Sequence, residues 1–417
     1  MLVTANDKFF QKKQALAVLK HGILRRYLPI YATMTGSTSE SGRVVYLDGY
    51  AGPGRYEPEE PGGVGAPGSP LLAVETAKRV QGWKRDLHCV FVERDPSYVG
   101  NLRAVLAEAA PEGMRYDVLP GDVKDRLGEA LDLTGDRPLF AFLDPFGTAL
   151  PYQDMVERLL GRGTALKTEV LLNFNLGSVW RIGGLLTGDE AEPNGENGRR
   201  EAAISRVDAF LGGDWWRERF MAARRGEVVA SRAAQEVGRE FCQRIGNDAG
   251  CGSFTVPIRR HPNHEPLFLM ILFFRHDAAP YQFNEAVSMA NAEWRGLWRA
   301  RDLDADLRAD RERRGGQEDL FGNSLIMDYS EQEAQRAETL LENQWIEEVA
   351  ENLRALTIQQ VAIKIRENMS GIFGRTLGMA RERHLRKAWD QLAEEDVLDA
   401  RPKKGKMLWQ TIYRRGR

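Results

Sequence analysis

Five short apolar runs, read with the turns that end them, most constrain this chain: VVYLDGYAG (44–52), LHCVFVERD (87–95), YDVLPGDV (116–123), PLFAFLDPFG (138–147) and TEVLLNFN (168–175). Each is almost continuously hydrophobic, as strands buried on both faces are. Helical periodicity separates them: SPLLAVETAKRV follows the first run, PSYVGNLRAVLAEA the second, and a segment around Gln153 to Leu160 the fourth. Strand–helix–strand repetition implies right-handed crossovers and a parallel sheet covered on both sides. The expected class is α/β, with a doubly wound, Rossmann-like sheet. Ser69 reads as an N-cap with Pro70 in the first turn.

The flanks extend this plan. Residues Lys8 to Tyr31 have helical spacing, with Pro29 near the end, and a loop (TGSTSESG) follows. A helical insertion is expected over about 178–250. SFTVPIRR and LFLMILFFRHD read as two more strands of the same sheet, with NHEP as the turn between them and a helix around Tyr281 to Trp298 after them. The 417 residues fit two or three domains. We place an α/β domain at 1–300, a charged helical linker at 301–345 and a basic domain at 346–417. In that last part TIQQVAIKIREN, GIFGRT and RERHLRKAWDQLAEEDVLDARPKK read as helix, turn and helix, with two short strands after them. That order is winged-helix-like.

Charge divides the chain unevenly. The formal net charge is −2, yet Thr357 to Arg417 holds 14 Lys/Arg against 7 Asp/Glu. This local balance of +7 leaves about −9 for the remainder, an electrostatic footprint suited to a polyanion. Arg381, Arg383, Arg386 and Lys387 fall on or near one helical face with His384 and Trp389. Lys403, Lys404 and Lys406 would sit in the wing. These side chains suit phosphate contact or a protein-facing surface. Cys89, Cys242 and Cys251 form no CxxC, which argues against a disulfide framework or thiolate zinc site and fits a cytoplasmic location. No apolar run approaches the roughly 20 residues of a membrane span. His261 and His264, flanked by prolines, read as a turn rather than a metal site. No GxSxG, HExxH or GxxxxGK[ST] occurs, which disfavours serine-hydrolase, zincin and P-loop chemistry.

Open α/β sheets bind ligands beyond the carboxyl ends of their strands. The first strand ends in Asp48, followed by Gly49, Tyr50, Ala51, Gly52, Pro53 and Gly54, where glycines permit close backbone approach. The second ends in Glu93-Arg94, where an acid suits ribose hydroxyls. The third ends in Gly121-Asp122-Val123, where Asp122 suits an adenine amino group. The fourth ends in Asp144-Pro145-Phe146-Gly147. A carboxylate, a stiffened backbone and an aromatic ring there suit a planar exocyclic amine. Asn173 on the fifth strand either lines this site or is an ordinary strand-end residue.

DGYAGPG is similar to the first motif, DxFxGxG, of class I S-adenosylmethionine methyltransferases that act on amino groups. DPFG resembles their DPPY-type motif, and more so the DPFG of tRNA guanine-amino dimethyltransferases. VLKHGILRRYL, with Lys20 and His21, resembles the N-terminal cofactor helix of an rRNA adenine-amino methyltransferase group. In order, YLDGYAGPGRY, GAPGSPLLA, FVERD, FLDPFG and KTEVLLNF resemble the bacterial three-Cys-motif partner (TcmP) family over about residues 8–180. The resemblance implies a methyltransferase fold, S-adenosyl-L-methionine as cofactor and a three-Cys-motif, radical-SAM-like partner protein. It implies that Asp48, Gly52 and Gly54 hold the methionine end, with Lys20, His21, Tyr50 and Ala51 nearby. Glu93 would take the ribose and Asp122 the adenine, with Arg94 and Val123 also at the cofactor, while Asp144, Pro145, Phe146 and Gly147 face the acceptor. The chain reads DPFG where the amino-methylating motif has a second proline. Two functions are expected from this: methyl transfer to an amino group of a nucleic-acid base, or a catalytically silent scaffold that brings its partner to nucleic acid.

Overall fold

A computed structural model of the chain describes residues 15–39, 42–58, 62–163, 166–187, 196–227, 229–261, 264–313 and 322–416. The start of the expected first helix (8–14), Pro262 and Asn263 of the expected turn, and 314–321 of the expected linker lie outside them. The chain divides into two units, one up to His276 and one from Asp277.

The first unit is built on seven strands: β1 (Arg43–Asp48), β2 (Asp86–Glu93), β3 (Tyr116–Pro120), β4 (Leu139–Leu143), β5 (Thr168–Asn175), β6 (Gly252–Ile258) and β7 (Phe268–Phe274). Their order is β3-β2-β1-β4-β5-β7-β6. The first five strands are parallel, whereas β7 runs antiparallel between β5 and β6. Strand order reverses between β1 and β4, which makes their shared carboxyl edge the topological switch point of the sheet. SFTVPIRR and LFLMILFFRHD do join this sheet, but their connection spans residues 259–267 rather than four residues.

Helices cover both faces. These are α1 (Ala15–Gly36), α2 (Ser69–Gln81), α3 (Pro96–Ala109), α4 (Val123–Thr134), α5 (Leu176–Gly183), α6 (Glu196–Leu211), α7 (Trp216–Arg224) and α8 (Ala230–Ala249). Alternation along each strand sends Val45 and Leu47 into one core with Leu127 of α4, Phe210 of α6 and Phe241 of α8. Tyr46 faces the other way, stacks on Phe140 at 6.3 Å, and Tyr27 and Tyr31 of α1 pack onto that ring. Helix α1 continues through Pro29 to Gly36, past the expected end. Helix α4 has no counterpart in the sequence reading. Its N-cap is Asp122, whose side chain accepts from Lys124 N–H. The segment after β4 is a π-helical turn (Asp154–Leu159), not an α-helix. Ser69 is not a cap: α2 begins behind Gly68, and the Ser69 hydroxyl bonds Asp48 instead.

The second unit begins with two long helices, α9 (Ala278–Arg313) and α10 (Gly322–Gln359). Then come β8 (Ala362–Lys364), α11 (Met369–Phe373), α12 (Glu382–Glu394) and β9 (Thr411–Tyr413). Two expectations are corrected here. The helix around 281–298 belongs to this unit, because Tyr281 is buried with Trp345, Val349, Leu353 and Trp389, and Asn284 donates to the Ala380 carbonyl at 2.9 Å. The boundary at 300 therefore moves to 276, and the described parts of the expected linker are helical. Second, β8 precedes the two short helices and pairs antiparallel with β9, Ile363 opposite Ile412. The expected plan put a helix there and both strands afterwards. Buried Ile363 flanked by exposed Ala362 and Lys364 is strand alternation inside what reads as a helical window.

Candidate functional site

Two cavities open along the carboxyl edge of the first unit. The first, about 500 Å³, is lined by Lys20, His21, Ala51, Gly54, Asp144 and Asn173 among others. The second, about 630 Å³, is lined by Glu93, Arg94, Asp122, Val123 and Gly147 among others. Tyr50, Pro145 and Phe146 line both. They are a common wall at the switch point, between the end of β1 and the turn after β4.

Asp144 accepts three side-chain hydrogen bonds at the first chamber. Lys20 of α1 donates to both its oxygens, at 2.8 and 2.7 Å. Asn173 of β5 donates to Oδ1 at 2.6 Å. Lys20 is 3% exposed and Asp144 16%. A carboxylate offers about four acceptor positions, so these three bonds leave one on Oδ2. Lys20 thus stands at the DPFG turn and lines no part of the second chamber. The Asn173 amide is oriented by its bond to Asp144, and its Oδ1 is buried without a donor. Asn175 supports the turn from β5: its Nδ2 donates to the Phe146 carbonyl at 3.3 Å, while its Oδ1 caps α5 through Ser178 N–H.

Asp48 and Gly52 line neither chamber. Asp48 is fully buried, accepting from the Tyr46 hydroxyl at 3.1 Å and Tyr50 N–H at 3.2 Å. Burial raises its carboxyl to about 7, against the opposing pull of its hydrogen bonds to Ser69, Tyr50 and Tyr46. It therefore holds the loop rather than facing the cavity. Gly52 and Gly54 take φ of +66° and +87°, which a side chain would resist. Glu93 also clamps the loop: Oε2 accepts from Gly52 N–H and Oε1 from Asp95 N–H, both at 2.8 Å. One acceptor position remains on each oxygen, next to the second chamber.

The sequence reading missed Arg55, Arg181, Arg260, Trp180 and Phe268, all of which line the first chamber. Trp180 and Arg181 lie on α5, directly after β5. The strand-end rule that found Asp144 reaches them too. Arg260 and Phe268 come from the β6–β7 connection and β7, which no local pattern ties to the DPFG turn.

In the second unit, Arg383 pairs with Glu342 and Arg386 with Glu382. Arg381 precedes α12, where its N–H donates to His384 Nδ1 at 2.9 Å. His384 is buried, and desolvation together with Arg383, Arg381 and Lys387 lowers its pKa to about 4. Lys387, Lys403, Lys404 and Lys406 are exposed. His264 N–H donates to the His261 carbonyl at 3.0 Å within the β6–β7 connection. Among the described residues no group of three His, Cys, Asp or Glu side chains could hold a metal ion. No described helix is long and apolar enough to cross a membrane. No protein-family model matches the sequence, and neither does any curated protein.

Proposed function

We propose that this chain is an S-adenosylmethionine-dependent methyltransferase acting on an exocyclic amino group of a nucleic-acid base. The observation that carries the reading is the pair of chambers meeting at Tyr50, Pro145 and Phe146 on the switch point. The residues fit the cofactor. Glu93 retains acceptor positions for ribose hydroxyls, Asp122 and Val123 line the same cavity, and the loop fixed by Asp48 carries Ala51 and Gly54 for the methionine end. The cofactor would supply an electrophilic methyl group. Asp144 would accept one N–H of the incoming amine on its open Oδ2 position, and Phe146 would lie against the base. Lys20 would hold Asp144 in place at the turn, where a carboxylate favours positive charge developing on the amine. Most of the acceleration would come from orientation. A winged-helix role for the second unit in nucleic-acid contact, and a three-Cys-motif partner protein, belong to the same proposal.

One observation favours a second reading. Three of the acceptor positions of Asp144 are taken by Lys20 and Asn173, which suits a cofactor-binding scaffold that transfers nothing. Calorimetric titration with S-adenosylmethionine, repeated on Glu93→Ala, tests cofactor binding. No heat from folded protein, or heat unchanged in the variant, sinks the site. Mass spectrometry of nucleosides from cells with and without the chain then separates the readings: a methylated base lost with the chain supports transfer.

A further inference from the structure

The first chamber carries charge that its own walls do not neutralise. Lys20, Arg55, Arg181 and Arg260 line it against one carboxylate, Asp144, which Lys20 already pairs. Arg55 donates to the Gly65 carbonyl at 3.3 Å. Arg181 donates to the Gly177 carbonyl at 3.2 Å and Ser178 Oγ at 3.3 Å. These acceptors are neutral, and among the described residues no carboxylate pairs with Arg55, Arg181 or Arg260. Elsewhere in this unit Arg217, Arg225 and Arg244 all face acids.

The same cavity exposes large rings. Trp180 is 54% exposed and Phe146 39%. Deeper in, Asn173 Oδ1 is buried without a donor, a cost that a planar N–H group would relieve. Guanidinium groups without a carboxylate partner, exposed aromatic side chains and a buried acceptor together match one ligand chemistry: a nucleobase with its flanking phosphates.

We infer that this chamber seats one nucleotide of an unpaired nucleic-acid strand. The base lies against Phe146 and Trp180 with an N–H toward Asn173, and the backbone phosphates lie on Arg55, Arg181 and Arg260. The inference rests on the reading of this chamber as the acceptor side. It places the main strand contact in the first unit, not on Lys403, Lys404 and Lys406. Base faces can stack on protein rings only where they are unpaired or extruded.

Fluorescence anisotropy of the full chain with a short labelled single strand tests this. R181E/R260E should weaken binding by at least about tenfold and flatten its salt dependence by about 1.4, at about 0.7 per phosphate contact. R181K/R260K should keep most of the affinity, since phosphate contact needs the charge. Trp180→Ala should cost about tenfold, and K403E/K404E/K406E less than R181E/R260E. Wild-type affinity in R181E/R260E overturns the inference. So does a duplex or a free mononucleotide that competes as well as the strand. Parallel titration with S-adenosylmethionine keeps the two claims apart. Cofactor heat lost in R181E/R260E while strand binding persists assigns the arginines to the cofactor and overturns the inference. Strand binding without any cofactor heat refutes the methyltransferase reading alone.

Discussion

At the residue scale, the site depends on buried charges that hold one another. Lys20→Met leaves Asp144 with Asn173 as its remaining side-chain donor and should destabilise the fold by about 3 kcal/mol. Urea denaturation reads this, and a variant as stable as the wild type would show that the pair is dispensable. Asp48 and Glu169 give a pH signature. Burial raises Asp48 from 3.8 to about 7 and Glu169 from 4.5 to about 8, the latter against its bond from the Tyr27 hydroxyl at 2.8 Å. Between about pH 4 and 8 the folded chain therefore binds more protons than the unfolded one. The stability these acids contribute is complete below that window and lost as pH rises through 7 and then 8. The Tm should fall from pH 5 to pH 8, and fall less in Asp48→Asn; parallel curves would refute the assignment. The carboxylates at strand ends were legible in the sequence because each ends an apolar run. Their partners were not. Lys20 lies 124 residues from Asp144, and only the folded sheet shows that α1 serves the DPFG turn. Asp48 was read as a ligand group, and the structure buries it with bonds from Tyr46 and Tyr50, a placement that sequence does not display.

At the scale of elements, close approach is written in glycine. A Cβ at Gly183, near the end of α5, would stand 2.5 Å from the buried Phe220 ring of α7. Gly183→Ala should cost about 1–3 kcal/mol through overpacking. Gly100, exposed within α3, has no neighbour within 4 Å of a Cβ. Gly100→Ala should gain about 0.5–1 kcal/mol from helix propensity. Denaturant midpoints of the two variants should move in opposite directions; movement in the same direction would contradict the packing described. The strands were readable because two-sided burial makes them continuously apolar. Helix α4 was overlooked because the turn GDV was taken with the strand before it, although Asp122 is a capping residue in plain view. Strand β8 was absorbed into a helical reading because three residues are too few for a period of two to stand out.

At the scale of the whole molecule, two compact units, each with its own buried side chains, imply two cooperative units. Calorimetry should show a heat capacity trace that one two-state transition does not fit. Leu353→Ala, in the second core, should lower one component by about 2–5 kcal/mol and leave the other in place. A single transition shifted as a whole would contradict this. The division itself was only partly legible. The basic tail marked a second unit, but its boundary was set too late because α9 continues the helical pattern that follows β7. One further consequence concerns the order of synthesis. Strand β5 is buried on nearly every residue and pairs with β4 on one side and β7 on the other. Its second partner is separated from it by residues 176–267. At about 5–20 residues per second, the ribosome needs roughly 5–20 s to make that segment. For that interval an apolar edge lies open on the nascent chain, the condition under which strands pair with the wrong neighbour. A cell making this protein should need a chaperone at that edge, the more so where slower translation across 176–267 lengthens the exposure.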